Sequence, residues 1–410
     1  MTSVNYNTGN IQDVPSTPPR SVAEKLYDGT APVITNTQSS TSTIASAQKW
    51  APAGVALTGS DKTAAFNYIG GGNFQIGTVV PDTSYVQPTS RYPYTYATPQ
   101  ASWAVEFMFF GQTFELKYKF VSSSTNYRLT VNDLKVNDLG SDIPGPPTAG
   151  SSNVLKVDLG SVDCWKIKFE FRNMPFGGIF TGPNDSLWGT QAGPLRLAAF
   201  GDSITEGSAM NTRGSLGVWL RRFSRLTGIT DIWNQSRGGT GYIDPGNFAP
   251  LPDRIAGELV PWNFDHILIF AGGNDATFPE SQLYPAISTT IKRILAECPG
   301  AQLTIVGTWA PTGPPSGGRA TVASVTRRVA FENDVPYIDP QSGQVYDRFQ
   351  RLVADFGPWI TGTGRVGATT GSGNADIFIG SDAVHPTDAG HKHVANLMAA
   401  SWLALFNQEH

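Results

Sequence analysis

The stretch Leu195-Arg196-Leu197-Ala198-Ala199-Phe200-Gly201-Asp202-Ser203-Ile204-Thr205-Glu206-Gly207 passes from an apolar run, broken only by Arg196, straight into a polar Gly-Asp-Ser turn. Such a run, bounded by a turn, is how a strand buried on both faces of a parallel sheet reads, and open α/β sheets place their sites where such strands end. The rhythm repeats downstream. Short apolar runs at Ile232–Trp233, Ile267–Ala271, Leu303–Val306 and Tyr337–Ile338 alternate with helical stretches. Leu283, Ile287, Ile291, Ile294 and Leu295 make one stripe at helical spacing over about residues 281–297, and Pro299-Gly300 follows as a stop. A last helix is expected from Thr387, a capping residue, to Phe406, with Val394, Met398 and Leu405 on one face. Residues 195–410 therefore read as an α/β domain whose parallel sheet is covered on both sides.

Upstream the apolar period changes to two. Trp103, Val105, Phe107 and Phe109 share one strand face, and Phe114, Leu116, Tyr118 and Phe120 share another. Further strands fit Tyr127–Val131, Val154–Leu159 and Trp165–Phe171, with Gly111-Gln112 and Asn132-Asp133 as turn signals. Residues 46–172 are thus expected to form an antiparallel, jelly-roll-like β-sandwich. Residues 173–194, with Gly177-Gly178, Gly182-Pro183 and Gly193-Pro194, read as a linker. The Ser-, Thr-, Asn- and Pro-rich residues 1–45 read as an extended or disordered arm.

A chain of 410 residues buries enough surface for two domains without covalent staples. The net charge is -4 and no Lys/Arg run occurs, so attraction to nucleic acid or an anionic membrane has no source and neither is an expected partner. The amino terminus lacks the basic start and apolar core of a signal peptide, and no run approaches the roughly 18 apolar residues of a membrane helix. Export by the ordinary route is not expected. Cys164 and Cys298 stand far apart with no second Cys or His at metal-ligand spacing, which favours two buried free thiols over a long-range disulfide and argues against a zinc site.

A serine at a strand end becomes a nucleophile only with a base beside it. Five histidines are available: His266 opens a strand, His391 and His393 lie inside the last helix, and His410 is the terminus. His385 differs, because it stands in the loop Gly380-Ser381-Asp382-Ala383-Val384-His385-Pro386-Thr387, where Pro386 disfavours helical geometry for it and Asp382 can fold back on its ring. A carboxylate there holds the imidazole in one tautomer and stabilises its charged form. Acyl transfer also needs donors for the oxyanion. Gly239, within Asn234-Gln235-Ser236-Arg237-Gly238-Gly239-Thr240-Gly241, can bring its amide close to a substrate, and Asn274 of Gly273-Asn274-Asp275 can donate its side-chain amide. Singly, each of these motifs reads equally well as an ordinary strand-ending turn. Together they place Ser203, Gly239 and Asn274 at the ends of neighbouring strands.

In order, Gly201-Asp202-Ser203, Arg237-Gly238-Gly239, Gly273-Asn274-Asp275 and Asp382-Ala383-Val384-His385 make residues 195–406 similar to the SGNH, or G-D-S-L-type, hydrolase superfamily. The resemblance implies a three-layer α/β/α fold, Ser203 as nucleophile, Asp382 and His385 completing the triad, and the amides of Ser203 and Gly239 with Asn274 as oxyanion hole. Ile204 stands where the family's name has Leu, and Gly238 competes with Gly239 for the oxyanion role.

The run Gly362-Thr363-Gly364-Arg365-Val366-Gly367 matches a dinucleotide fingerprint, but Pro358 before it and Gly371-Ser372-Gly373 after it leave no strand or helix around it. Neither a phosphate-binding G-x-x-x-x-G-K-[ST] loop, an H-E-x-x-H helix nor a G-x-S-x-G elbow occurs, so no cofactor and no metal are expected. The Gly-rich segment 360–374 reads as a mobile loop near His385 or as a plain surface loop. Tyr92, Tyr94 and Tyr96 would share a strand face, as a sugar platform or a packing surface, and Trp309, just past the fourth strand, would wall the cleft. Sugar-directed SGNH esterases often carry an amino-terminal β-sandwich, as this chain is expected to. The expected function is hydrolysis of short acyl esters, O-acetyl groups of a polysaccharide, through an acyl-enzyme on Ser203. A lipid esterase is the second reading. The third is a structural or adhesive protein with a relic site, since the arm and the Ser/Thr/Gly-rich composition are similar to those of phage tail-associated proteins. That comparison implies a virion-associated or extracellular setting, with oligomers formed through the arm or the sandwich.

Overall fold

The computed structural model describes residues 26–76, 82–145, 147–191, 193, 195–207, 210–313 and 315–406. The chain divides into two compact units, Lys25–Ala192 and Gly193–His410.

In the amino-terminal unit two long strands, Trp103–Lys119 and Ser152–Arg172, pair antiparallel from Ser152 opposite Lys119 to Phe171 opposite Trp103. They are the centre of a thirteen-stranded sheet among the described residues. Gly111-Gln112 is therefore not a turn between strands, and Val154–Leu159 and Trp165–Phe171 belong to one strand. The pairing is irregular between Asp158 and Asp163, with Asp163 opposite Gly111 at φ 153°. That irregularity lets Phe107 and Phe109 on one side of it, and Phe114 and Leu116 on the other, enter the same buried cluster. Asn132 and Asp133, both at positive φ, turn the chain from Asn126–Val131 into Leu134–Lys135, as a two-residue hairpin requires. Part of the expected arm, Val33–Thr37, pairs with Val154–Asp158, while residues 1–25 of it lie outside the described residues. The expected linker contains the strands Phe176–Thr181 and Ser186–Gly189, because between its glycines it also carries Phe176, Ile179 and Leu187, which are buried in the same cluster. Tyr92, Tyr94 and Tyr96 do not share a strand: Tyr94 is left-handed at φ 57° and Tyr96 is buried.

In the carboxy-terminal unit the strands are β1 (Arg196–Gly201), β2 (Asp231–Asn234), β3 (His266–Phe270), β4 (Gln302–Val306), β5 (Tyr337–Ile338), β6 (Gln344–Tyr346) and β7 (Leu352–Asp355). Their order is β2-β1-β3-β4-β5-β6-β7, parallel up to β5 and antiparallel for the last two. Leu197 and Ala199 of β1 enter one buried cluster and Ala198 and Phe200 another. This is why the strand reads as a continuous apolar run.

The helices are α1 (Ser203–Glu206), α2 (Trp219–Thr227), α3 (Leu251–Glu258), α4 (Glu280–Glu297), α5 (Gly317–Glu332), α6 (Ala375–Phe378) and α7 (Asp388–Phe406). Residues of α2 and α7 fill the first cluster, and residues of α3, α4 and α5 fill the second. On α4 the stripe Leu283, Ile287, Ile291 and Ile294 is buried, worth on the order of 6–12 kcal/mol in transfer terms before ordering entropy is subtracted; Leu295 falls off the stripe and is exposed. Thr387 caps α7 as expected, its hydroxyl accepting the Gly390 amide at 3.1 Å. Cys164 is exposed rather than buried, Cys298 is half-buried, and both are free thiols. No described helix is long and apolar enough to cross a membrane.

Candidate active site

Ser203 opens α1, the single helical turn that follows β1. Asp202 caps this turn by accepting the Ile204 amide at 3.0 Å. Gly207, at φ 131°, ends it. Asp202 is buried, and burial pushes its carboxyl up to about 7; the Ile204 amide opposes the shift while the nearby Asp275 carboxylate adds to it. A buried carboxyl directly before Ser203 therefore titrates near neutrality. It faces the next strand end, since a Cβ on Gly273 would lie 3.8 Å from its Oδ2.

The Ser203 hydroxyl lies 2.7 Å from Nε2 of His385, and Nδ1 of His385 lies 2.6 Å from Oδ2 of Asp382. Asp382 Oδ1 accepts the amides of Val384 and His385, each at 3.0 Å. Partial burial pushes the Asp382 carboxyl up, but the bonds from the His385 ring and from these amides outweigh it and hold it below the usual carboxylate range. An ionised carboxylate only accepts, so Nδ1 carries the proton and Nε2 is left to accept from the serine. The loop is closed at its base, where the Gly380 amide donates to His385 O at 2.8 Å, and it turns at Ala383, left-handed at φ 63°.

The other histidines serve the structure. His391 accepts the Trp219 amide at 3.3 Å, His393 Nε2 donates to Trp359 O at 2.7 Å, and His266 is buried against Trp402 and Phe406. His410 lies outside the described residues.

The loop after β2 runs beside Ser203. Its Gly238 amide donates to Glu206 Oε2 at 2.6 Å, whereas the Gly239 amide has no acceptor among the described residues. Gly239 is left-handed at φ 77°, which only glycine adopts readily. The loop rests on Arg254, fully buried with Glu258, whose guanidinium donates to Thr240 Oγ1 at 3.1 Å and to Gln235 O. After β3, Asn274 donates one N–H to Thr240 O at 2.9 Å, which fixes its amide and leaves the second N–H available. Asp275 beside it accepts the amides of Tyr242, Ile243 and Asp244 at 2.7–3.0 Å and so shapes the rest of the loop.

Trp309 does not wall the cleft. It is 3% exposed, and its indole donates to Val384 O at 2.8 Å, so it supports the loop that carries His385 and offers no ring face to a ligand. Segment 360–374 is held by hydrogen bonds within itself and to α6, among them Thr361 amide to Asn374 Oδ1 at 2.8 Å and Gly371 amide to Asp376 Oδ2 at 2.7 Å. Asp388, not singled out in the sequence, accepts the Thr212 amide at 2.8 Å and so joins the segment after α1 to the start of α7.

Residues 199–393 match the GDSL-like Lipase/Acylhydrolase family. No curated protein sequence matches the chain. Among solved structures, a salicylyl-acyltransferase from a tetracycline biosynthetic pathway aligns with a TM-score of 0.59 at 15% identity, over 83% of this chain and 96% of its own. A family two carbohydrate esterase from Clostridium thermocellum in complex with cellohexaose aligns with a TM-score of 0.56 at 15% identity, over 82% and 97%. An acetyl xylan esterase from the rumen bacterium Butyrivibrio proteoclasticus aligns with a TM-score of 0.53 at 12% identity, over 82% and 93%. At these identities the likeness is one of fold. The carboxy-terminal unit of this chain therefore carries a GDSL-like (SGNH) lipase/acylhydrolase domain over residues 199–393.

Proposed function

We propose that this chain is a serine esterase that removes short acyl groups, acetate above all, from a polysaccharide. The observation that carries this reading is the hydrogen-bonded chain Ser203–His385–Asp382 at 2.7 and 2.6 Å. Ser203 Oγ attacks the acyl carbon while its proton passes to His385 Nε2, and Asp382 stabilises the imidazolium. The negative charge gathers on the former carbonyl oxygen, which the amides of Ser203 and Gly239 and the Asn274 side chain receive. Collapse breaks the ester C–O bond, and His385 returns the proton to the departing sugar hydroxyl. Water, deprotonated by the same ring, then attacks the acyl-enzyme, and the ring hands that proton to Ser203 Oγ as the acid departs.

The acyl length and the saccharide are supported by two further observations. No apolar run in segments 204–215, 239–250, 309–319 or 360–381 is long enough to line a fatty-acyl groove. Two of the structural neighbours named above are a carbohydrate esterase and an acetyl xylan esterase. On the same reading the carboxy-terminal unit is a three-layer α/β/α domain, supported by the division of β1 side chains between two clusters, and the amino-terminal unit is jelly-roll-like.

The test compares acetyl, butyryl and octanoyl esters of one alcohol, together with an acetylated polysaccharide, for the wild type and Ser203→Ala. Acetate release that Ser203→Ala abolishes is expected. Octanoyl preference with no acetate released from any glycan would replace this reading with a lipid esterase, and full activity in a folded Ser203→Ala would remove the serine mechanism.

A further inference from the structure

Glu206 lies three residues after Ser203 on the same helical turn, and its carboxylate reaches across to the loop after β2. The Gly238 amide donates to Oε2 at 2.6 Å, and Arg237 Nη1 lies 3.5 Å from Oε1. A Cβ on Gly238 would sit 2.9 Å from that same Oε2 and 3.5 Å from the Ser203 Cβ, so this peptide approaches both residues closely. The bond from an amide to a carboxylate is charge-assisted and stronger than a neutral one. It ties the turn that presents the nucleophile to the peptide immediately before Gly239. With the Gly238 amide committed to Glu206, the next amide, that of left-handed Gly239, is left without an acceptor among the described residues.

We propose that Glu206 is a positioning residue for the oxyanion hole: by capturing the Gly238 amide it sets the Gly239 amide at a fixed offset from Ser203. The proposal rests on the serine-esterase reading above. A donor that meets its charge only in the transition state affects turnover more than substrate binding, so misplacing it lowers kcat and leaves KM nearly unchanged. The competition between Gly238 and Gly239 is then decided by a side chain outside the four family blocks.

The experiment measures kcat, KM and thermal melting of the full chain on an aryl acetate for Glu206→Ala, Glu206→Gln and Ser203→Ala. Glu206→Ala is expected to lose about 10- to 100-fold in kcat, with KM within about threefold. Glu206→Gln should recover most of that loss, because its amide oxygen still accepts the Gly238 N–H. Should Glu206→Ala not fold, Glu206→Asp, whose carboxylate stops one methylene short, takes its place with the same expected loss in kcat. An unchanged kcat in the truncated variant overturns the proposal. So does a rise in KM alone, or a Gln variant as impaired as Ala. Ser203→Ala separates the two levels: inactive Ser203→Ala with fully active Glu206→Ala refutes only the positioning role, whereas active Ser203→Ala refutes the esterase reading beneath it.

Discussion

Asp382 holds His385 with both of its oxygens: Oδ2 lies 2.6 Å from the ring Nδ1, and Oδ1 accepts the His385 amide at 3.0 Å. The carboxylate is wrapped by the three residues that follow it, so its aim at the ring is set by local backbone. Ala383 in the left-handed region makes the wrap tight enough. With the carboxyl held below its usual range, it stays ionised at neutral pH.

Asp382→Asn is expected to keep the loop, since the amide oxygen can still accept the backbone N–H groups. Its NH2 would face Nδ1 as a donor and impose the tautomer in which Nε2 carries the proton, so the ring can no longer accept from Ser203. The expected fall in kcat is on the order of 10²- to 10⁴-fold, with some activity remaining above that of Ser203→Ala. Steady-state kinetics on an aryl acetate checks this, and an unchanged kcat would sever Asp382 from the mechanism.

Asn274→Ala removes a donor whose orientation is already fixed by its bond to Thr240 O. Turnover should drop about a hundredfold or more, with KM little changed. A variant with normal kcat would leave Asn274 as a strut for the loop after β2 and no more.

The strands β1 to β5 were legible because each is buried on both faces and so stands out as an apolar run between polar turns. His385 and Asp382 were legible for a different reason: they are three residues apart, and Pro386 keeps them out of α7. The hairpin β6–β7 was not, since its strands are short, β7 lies at the sheet edge, and only Val345 is fully buried. The strand Trp103–Lys119 reads as two in the sequence because Gly111 interrupts an alternation that resumes on the other parity. Glu206 carries no signal in the sequence and Trp309 reads there as a cleft wall, because each bonds a backbone group, the Gly238 amide and the Val384 carbonyl. Such pairs leave no pattern of residue types and exist only once the fold brings distant loops together.

His266 carries a prediction about stability. Burial depresses it to about 4 from its ordinary 6.5, and its Nδ1 has no partner among the described residues. The unfolded chain therefore takes up this proton at a higher pH than the folded one, and stability is lost as pH falls from about 6.5 toward 4. His391, depressed to about 3, acts in the same direction, while Asp202, raised to about 7, gains stability as pH falls. The wild-type slope is thus a sum, and His266→Leu isolates one component. Relative to the wild type, the variant should gain about 2 kcal/mol between pH 7 and pH 5 in urea unfolding. Parallel stability curves for the two proteins would show that His266 is not held neutral by burial.

Trp309 separates support of the site from contact with substrate. Its indole N–H holds Val384 O, one residue before His385, and its ring is buried near Phe270, 6.4 Å between centroids. Trp309→Phe keeps most of the apolar volume and loses the donor, so a destabilisation of about 1–3 kcal/mol is expected from the lost hydrogen bond and the space left by the smaller ring. Freed from that anchor, the loop should present His385 less accurately, lowering kcat several-fold, and by the same factor for an aryl acetate and an acetylated saccharide. A stacking platform would behave differently: KM for the saccharide would rise while the aryl ester was turned over normally. Kinetics on the two substrates side by side decides between these outcomes, and a saccharide-selective rise in KM would return Trp309 to the cleft wall.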